Sequence, residues 1–298
     1  MFNPFAPGFF DDPYSHYAVL REQDPVHRTP FDVWILFGYE ECNTLLRDQS
    51  LSVEMDKALA VNPAMRTQRM SQLEGLFPEV GDARLNRSIL FIDPPDHTRL
   101  RRLVSSVFTP RRIESLRAMV RSLVDLALDG VEGPGEMDVI ADLAFPLPFT
   151  VISEMLGMPD SDRDQLRAWS HRAVKLLDPI LSDDDARAAV ESGMAMYGHC
   201  SEVIAWKRKN LADDLLSALI TAEDEGDTLS AEELLDTVVL LFIAGHETTV
   251  NLIGNGTYRL LGNRSQLERL RDDDSLDRAA IEELLRFDSP VQFSRRIT

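Results

Sequence analysis

The sequence predicts a mainly α protein with a small β-sheet, and three observations carry that expectation. From Asp96 onward, apolar residues recur at helical spacing almost without interruption. One long segment, from about 231 to 261, is apolar nearly all round in Val238-Val239-Leu240-Leu241-Phe242-Ile243. Only near the amino end, at Val26–Phe31 and Val33–Phe37, does a short pattern suggest two strands around a turn.

The elements follow in order. Tyr14 to Asp24 reads as a short amphipathic helix, the hairpin comes next, and Tyr39 to Asp48 regains helical spacing through Leu45 and Leu46. Ser50 to Ser88 has no regular period and is expected to be loop-rich and mobile. Beyond it the spacing predicts helices at roughly 96–107, 112–128, 140–156, 162–178, 185–207, 213–223, 231–261, 266–271 and 277–287. Pro94-Pro95 stops the chain ahead of the first of these, and Gly133-Pro134-Gly135 separates two others. Ser230 followed by Glu233 forms a capping box for the longest. No repeat, low-complexity tract or linker divides the chain, so 1–298 reads as a single domain.

Composition narrows the function. A chain of 298 residues with 44% hydrophobic content can bury a substantial core, which excludes disordered and disulfide-stapled classes. Its formal charge of −19, from 50 acidic and 31 basic side chains, makes nucleic acid and anionic membranes poor partners. The two cysteines, Cys42 and Cys200, have neither C-x-x-C nor metal-ligand spacing, which suits a reducing cytoplasm. The amino terminus has no basic leader and no stretch near the ~20 apolar residues of a membrane span, so the expected protein is soluble.

The longest helix holds the chemical signal. At 1.5 Å per residue it would extend about 45 Å, through the core of a domain. Directly after Val238-Val239-Leu240-Leu241-Phe242-Ile243 come Ala244-Gly245-His246-Glu247-Thr248-Thr249. A helix-weakening glycine, an acid and two hydroxyls stand where only burial is expected. Gly245 would let a ligand approach the backbone closely. Thr248 could bond a carbonyl one turn back and open the helix ladder into a pocket. Glu247 beside it is a plausible proton relay, because burial raises a carboxyl pKa toward neutrality. A solvent-facing bend is the bland alternative.

Ala244 to Thr249 resembles the oxygen-binding I-helix pattern A-G-x-[DE]-T-[TS] of cytochromes P450, and further segments share the resemblance. Glu283-Leu284-Leu285-Arg286 resembles the family's K-helix E-x-x-R, a weak motif alone, whose charges share one helix face. Asp93-Pro94-Pro95-Asp96-His97-Thr98-Arg99-Leu100-Arg101-Arg102 resembles the start of its C helix. The resemblance covers nearly the whole chain. It implies a mostly helical prism with a small sheet that binds haem (iron protoporphyrin IX). His97, Arg101 and Arg296 would hold the propionates, with Arg296 preferred over Arg295. Ala244 and Gly245 would make room for dioxygen, Thr248 and Glu247 would deliver protons, and Glu283 and Arg286 would brace the fold.

For the complete protein the resemblance implies a cytoplasmic, bacterial-type monooxygenase. It would insert one oxygen atom of O2 into a small apolar organic substrate, with electrons from a ferredoxin-type donor. Phe91, Ile243 and Val291 suggest an apolar substrate pocket. His246 contacts substrate or points away from haem; both readings stay open. The family's F-x-x-G-x-x-x-C-x-G loop, which supplies the thiolate ligand of iron, is not matched, and neither Cys42 nor Cys200 stands in such a setting. The chain is therefore expected to be a fragment that is inactive as it stands, without a metal ligand of its own. The alternatives are a naturally shortened, non-catalytic helical binding protein and, more distantly, a terpene cyclase using Asp183-Asp184-Asp185 or Asp272-Asp273-Asp274 for magnesium. The polar surroundings of both clusters argue against the last.

Overall fold

The longest helix organises the bundle, and its start is set by local chemistry. Ser230 Oγ accepts from Glu233 N at 3.2 Å while Ser230 N donates to Glu233 Oε2 at 2.8 Å, so the predicted capping box is formed. The computed structural model describes residues 2–4, 6–9, 11–29, 32–61, 88–131, 133, 135–159, 163–177, 182–224 and 227–298. The segment 62–87, most of the stretch expected to be loop-rich, lies outside the described residues.

In chain order the described elements are α1 (Pro13–Gln23), β1 (Val26–Arg28), β2 (Trp34–Leu36), α2 (Tyr39–Arg47), α3 (Met55–Val61), α4 (Asp96–Val107), α5 (Pro110–Ser115) and α6 (Arg117–Asp129). A π-helical turn (Val139–Ala144) then leads into α7 (Pro146–Leu156), α8 (Arg163–Ala173), a 3-10 turn (Val174–Leu177), α9 (Asp183–Lys207) and α10 (Leu215–Thr221). Next come β3 (Glu223–Asp224), β4 (Asp227–Thr228), α11 (Ala231–Gly262), α12 (Arg264–Asp272), a 3-10 turn (Asp274–Leu276) and α13 (Asp277–Phe287). β1 and β2 pair antiparallel with His27 opposite Ile35, and β3 and β4 form a second, minimal hairpin.

Helix α11 packs against α7, α8, α9, α10, α12, α13 and the π-helical turn. The main core lies where Phe242 and Val238 of α11 meet Phe149 and Leu156 of α7, Met196 of α9 and Leu219 of α10. Full burial of a side chain such as Phe242 contributes about 1.5–3 kcal/mol. By length and composition alone, Val139–Leu156 and Ala231–Gly262 would suit a membrane span. Here these two segments pack on each other within the bundle.

Three departures from the expected elements have physical causes. The helix expected over 140–156 is split, because Pro146 and Pro148 bring no N–H to the ladder. Phe145 N reaches back five residues to Ile140 O at 2.9 Å, and α7 restarts with Pro146 in its first turn. The helix expected over 112–128 begins earlier, capped by Thr109, and is interrupted where Leu116 N closes a tight turn on Ile113 O at 3.1 Å. The β3–β4 hairpin follows α10, where helix was expected to run to 223.

The amino and carboxy segments are brought together by one carboxylate. Asp93 accepts from Ser52 Oγ at 2.5 Å, Val53 N at 2.9 Å and Lys57 Nζ at 2.7 Å. Ser52 in turn bridges Ile297 through paired backbone bonds of 2.9 and 2.8 Å. Burial pushes the Asp93 carboxyl up, but the bonds from Lys57, Ser52 and Val53 outweigh it and hold it below the usual range.

Candidate active site

The site is built on the middle of α11. Thr248 Oγ1 donates to Ala244 O at 2.6 Å, and Thr249 Oγ1 donates to Gly245 O at 3.0 Å. The bond foreseen for Thr248 is thus made, but the helix continues as α through the motif instead of opening into a pocket. A carbonyl has two lone pairs, so Ala244 O can serve the hydroxyl and the helix ladder together.

At 3.6 residues per turn, Ala244, Glu247 and Thr248 share one side of α11, while Phe242, Gly245 and His246 share the other. The second side is pressed on α7. A Cβ at Gly245 would collide with Ile152 Cδ1. On this side, the bare edge of Gly245 admits the neighbouring helix. His246 is fully buried, with Nε2 3.0 Å from Phe145 O and its ring edge-on to Phe145 and Phe149 at 4.7 and 5.6 Å. It therefore points away from Glu247 and Thr248, and burial holds its pKa below the ordinary histidine value.

The expected cationic residues differ from their neighbours in having no carboxylate partner among the described residues. Arg99 of α4 is bound to Glu233 and, at 3.4 Å, to Asp227; Arg259 is bound to Asp288 at 2.6 Å. His97, half-buried, and Arg101, exposed, stand one turn apart on α4. Neither side chain makes a hydrogen bond or ion pair among the described residues. Arg296 donates to Arg295 O at 2.8 Å, Ser294 Oγ at 3.2 Å and Leu46 O at 3.5 Å, with no carboxylate partner among the described residues. Arg295 takes another course, its guanidinium 5.5 Å from the Phe91 ring centre. The Asp93 cluster joins the loop before His97 to the strand-like segment carrying Arg296. Sequence reasoning passed over Asp93, although it opens the segment compared with the C helix.

The remaining expected residues are dispersed. Ile243 packs half-buried against the main core, Phe91 is half-buried under Arg295, and Val291 is 56% exposed. Glu283 and Arg286 form the foreseen pair through two bonds of 2.7 Å, at the exposed surface of α13. Asp183–Asp185 form the first turn of α9, where Asp185 bonds Ser182 and Lys175.

A long helix with an acid and a hydroxyl opposite its packed face, accompanied by unneutralised cations on separate elements, defines a helical scaffold suited to a large anionic cofactor. Residues 39–298 match the family model of cytochrome P450, and the chain belongs to the cytochrome P450 family. It is 42% identical over 291 residues to cytochrome P450 107B1 of Saccharopolyspora erythraea, which covers 96% of this chain and 68% of that protein. It is 40% identical to the cytochrome P450 monooxygenase PikC of Streptomyces venezuelae, over 95% of this chain and 64% of that one. The solved structure of P450BioI in complex with a hexadec-9Z-enoic acid ligated acyl carrier protein aligns with a TM-score of 0.83 at 33% identity, covering 97% of this chain and 71% of that one. The chain thus spans about two thirds of the length of these relatives.

Haem is the cofactor of this family. The donor set fits its carboxylate side, since among the described residues no carboxylate neutralises Arg101 or Arg296 and His97 offers a further unbonded donor. The residues do not supply the thiolate side. Cys200 is buried in α9 with its thiol pushed up to about 12 by desolvation, and Cys42, also raised by burial, donates from Sγ to Leu36 O at 3.4 Å.

Proposed function

We propose that the complete protein is a cytoplasmic haem-thiolate monooxygenase that oxidises a small apolar organic substrate, drawing an electron pair from a ferredoxin-type donor. The observation that carries this reading is the placement of Thr248 and Glu247 on the side of α11 away from α7, with the Thr248 hydroxyl already oriented by Ala244 O at 2.6 Å. His97, Arg101 and Arg296 would hold the haem propionates. Bound haem supplies the oxidation: one atom of O2 enters a C–H bond, and the other leaves as water with two electrons and two protons.

The chain's own residues handle those protons. With its hydrogen directed at the Ala244 carbonyl, the Thr248 oxygen keeps a lone pair to accept a hydrogen bond in the site, and so orients the donor that carries the proton. Glu247, half-buried and adjacent on the same side, is the relay that would pass protons toward Thr248. Ala244 keeps the surface between them small, and Phe91, Ile243 and Val291 contribute apolar area for substrate.

The test is Thr248→Ala in the full-length holoenzyme with its redox partner. Haem content should stay normal while most reducing equivalents appear as hydrogen peroxide instead of oxidised product. Unchanged coupling of electrons to product would refute the assigned role.

A further inference from the structure

We propose that His246 is a positioning residue for this chemistry: by donating from Nε2 to the Phe145 carbonyl it fixes the rotation of α11, and so the direction in which Glu247 and Thr248 face. The inference rests on the proton-delivery reading above and extends it to a residue on the opposite side of the helix.

Three observations support the tether. First, the bond has one possible sense: a carbonyl only accepts, so Nε2 carries the hydrogen, and Nδ1 is buried without a partner among the described residues. The ring is therefore neutral and has a single polar anchor. Burial, together with nearby His171 and Arg167, disfavours its protonation.

Second, the anchor itself is held firmly. Phe145 closes the π-helical turn through its N–H and packs edge-on against His171 at 5.3 Å, with the Arg167 guanidinium 5.7 Å from its ring centre.

Third, the helix needs such a device. Over Val238–Ile243, α11 is apolar almost all round, so around this run several rotations would bury similar area and hydrophobic packing alone selects weakly among them. Gly245 against Ile152 permits close approach, and a directional bond one residue later adds angular selection. A rotation by one residue, about 100°, would carry Thr248 out of its place.

The test compares His246→Phe, which keeps an aromatic ring and removes the donor, with His246→Gln, which keeps a donor, and with Thr248→Ala, all as full-length holoenzymes. Two readouts are taken: amide hydrogen exchange over 240–252 without turnover, and the peroxide released per electron pair during turnover. Loss of one buried hydrogen bond should speed exchange in this segment by about tenfold in His246→Phe. Peroxide should rise as well, with both changes largely reversed in His246→Gln.

A merely structural histidine would lower the melting temperature and leave the peroxide ratio alone, and that result overturns the proposal. So does wild-type exchange in His246→Phe. If Thr248→Ala itself stays coupled, the proton-delivery reading falls, while the exchange comparison still decides whether the tether exists. Should His246→Phe fail to retain haem, His246→Leu is measured in its place against the same Gln control.

Discussion

The two sides of α11 differ in what holds them. On the α7 side, Phe242 and His246 are fully buried, Gly245 meets Ile152, and the polar ring is bonded to a carbonyl of another element. On the other side, Thr248 bonds only within its own helix, and Ala244, Glu247 and Thr248 are half-buried. Stability is concentrated on the first side, and the proposed chemistry falls on the second, so substitutions on the two sides should separate folding from turnover.

The largest effect is expected at Phe242. Its truncation to alanine should cost about 3–5 kcal/mol, through lost burial and the cavity left against Phe149. Thr248→Ala, six residues further along α11, should change stability by less than about 1 kcal/mol, since alanine favours the helix and only a local bond is lost. Denaturant unfolding of the holoenzyme measures both; equal losses would erase the proposed division.

Gly245→Ala should cost about 1–3 kcal/mol by overpacking. Pairing it with Ile152→Ala should recover part of that loss, giving a favourable coupling in a double-mutant cycle. Additive losses would mean that the two helices do not meet at this point.

The smallest expected effect is a pH dependence. His246 has a lowered pKa in the folded chain, so the unfolded chain binds its proton first as pH falls. Its contribution is neutral above about pH 6.5 and becomes increasingly destabilising below that value, until the folded pKa is passed. Unfolding midpoints of His246→Phe should therefore decline less between about pH 7 and pH 5 than those of the wild type. Parallel curves would show that the ring is not kept neutral by the fold.

Much of the fold was legible because its signals are local. The spacing over 96–107 and 277–287 predicts helices that coincide with α4 and α13, and the Ser230–Glu233 box marks the start of α11. The π-helical turn was hidden because periodicity counts apolar residues and overlooks the missing donors of Pro146 and Pro148. The site was legible in its letters, Ala244 to Thr249, His97 and Arg101, and much less so in its wiring. Asp93, which joins Ser52 and Lys57 across about 40 positions of sequence, bonds partners that no spacing rule pairs.

The sequence by itself determined the helical class, the extent of the long helix and the resemblance to the cytochrome P450 family, since those depend on spacing, capping and motif order along the chain. Tertiary structure alone decided that Gly245 serves the approach of α7, that His246 turns toward Phe145, and that Arg296 and Arg295 part ways. The physical reason is rotational. Spacing defines which residues of a helix share a side, but a run such as Val238–Ile243 that is apolar nearly all round has no stripe to say where that side points, and only close packing and a directional bond to a second element can choose.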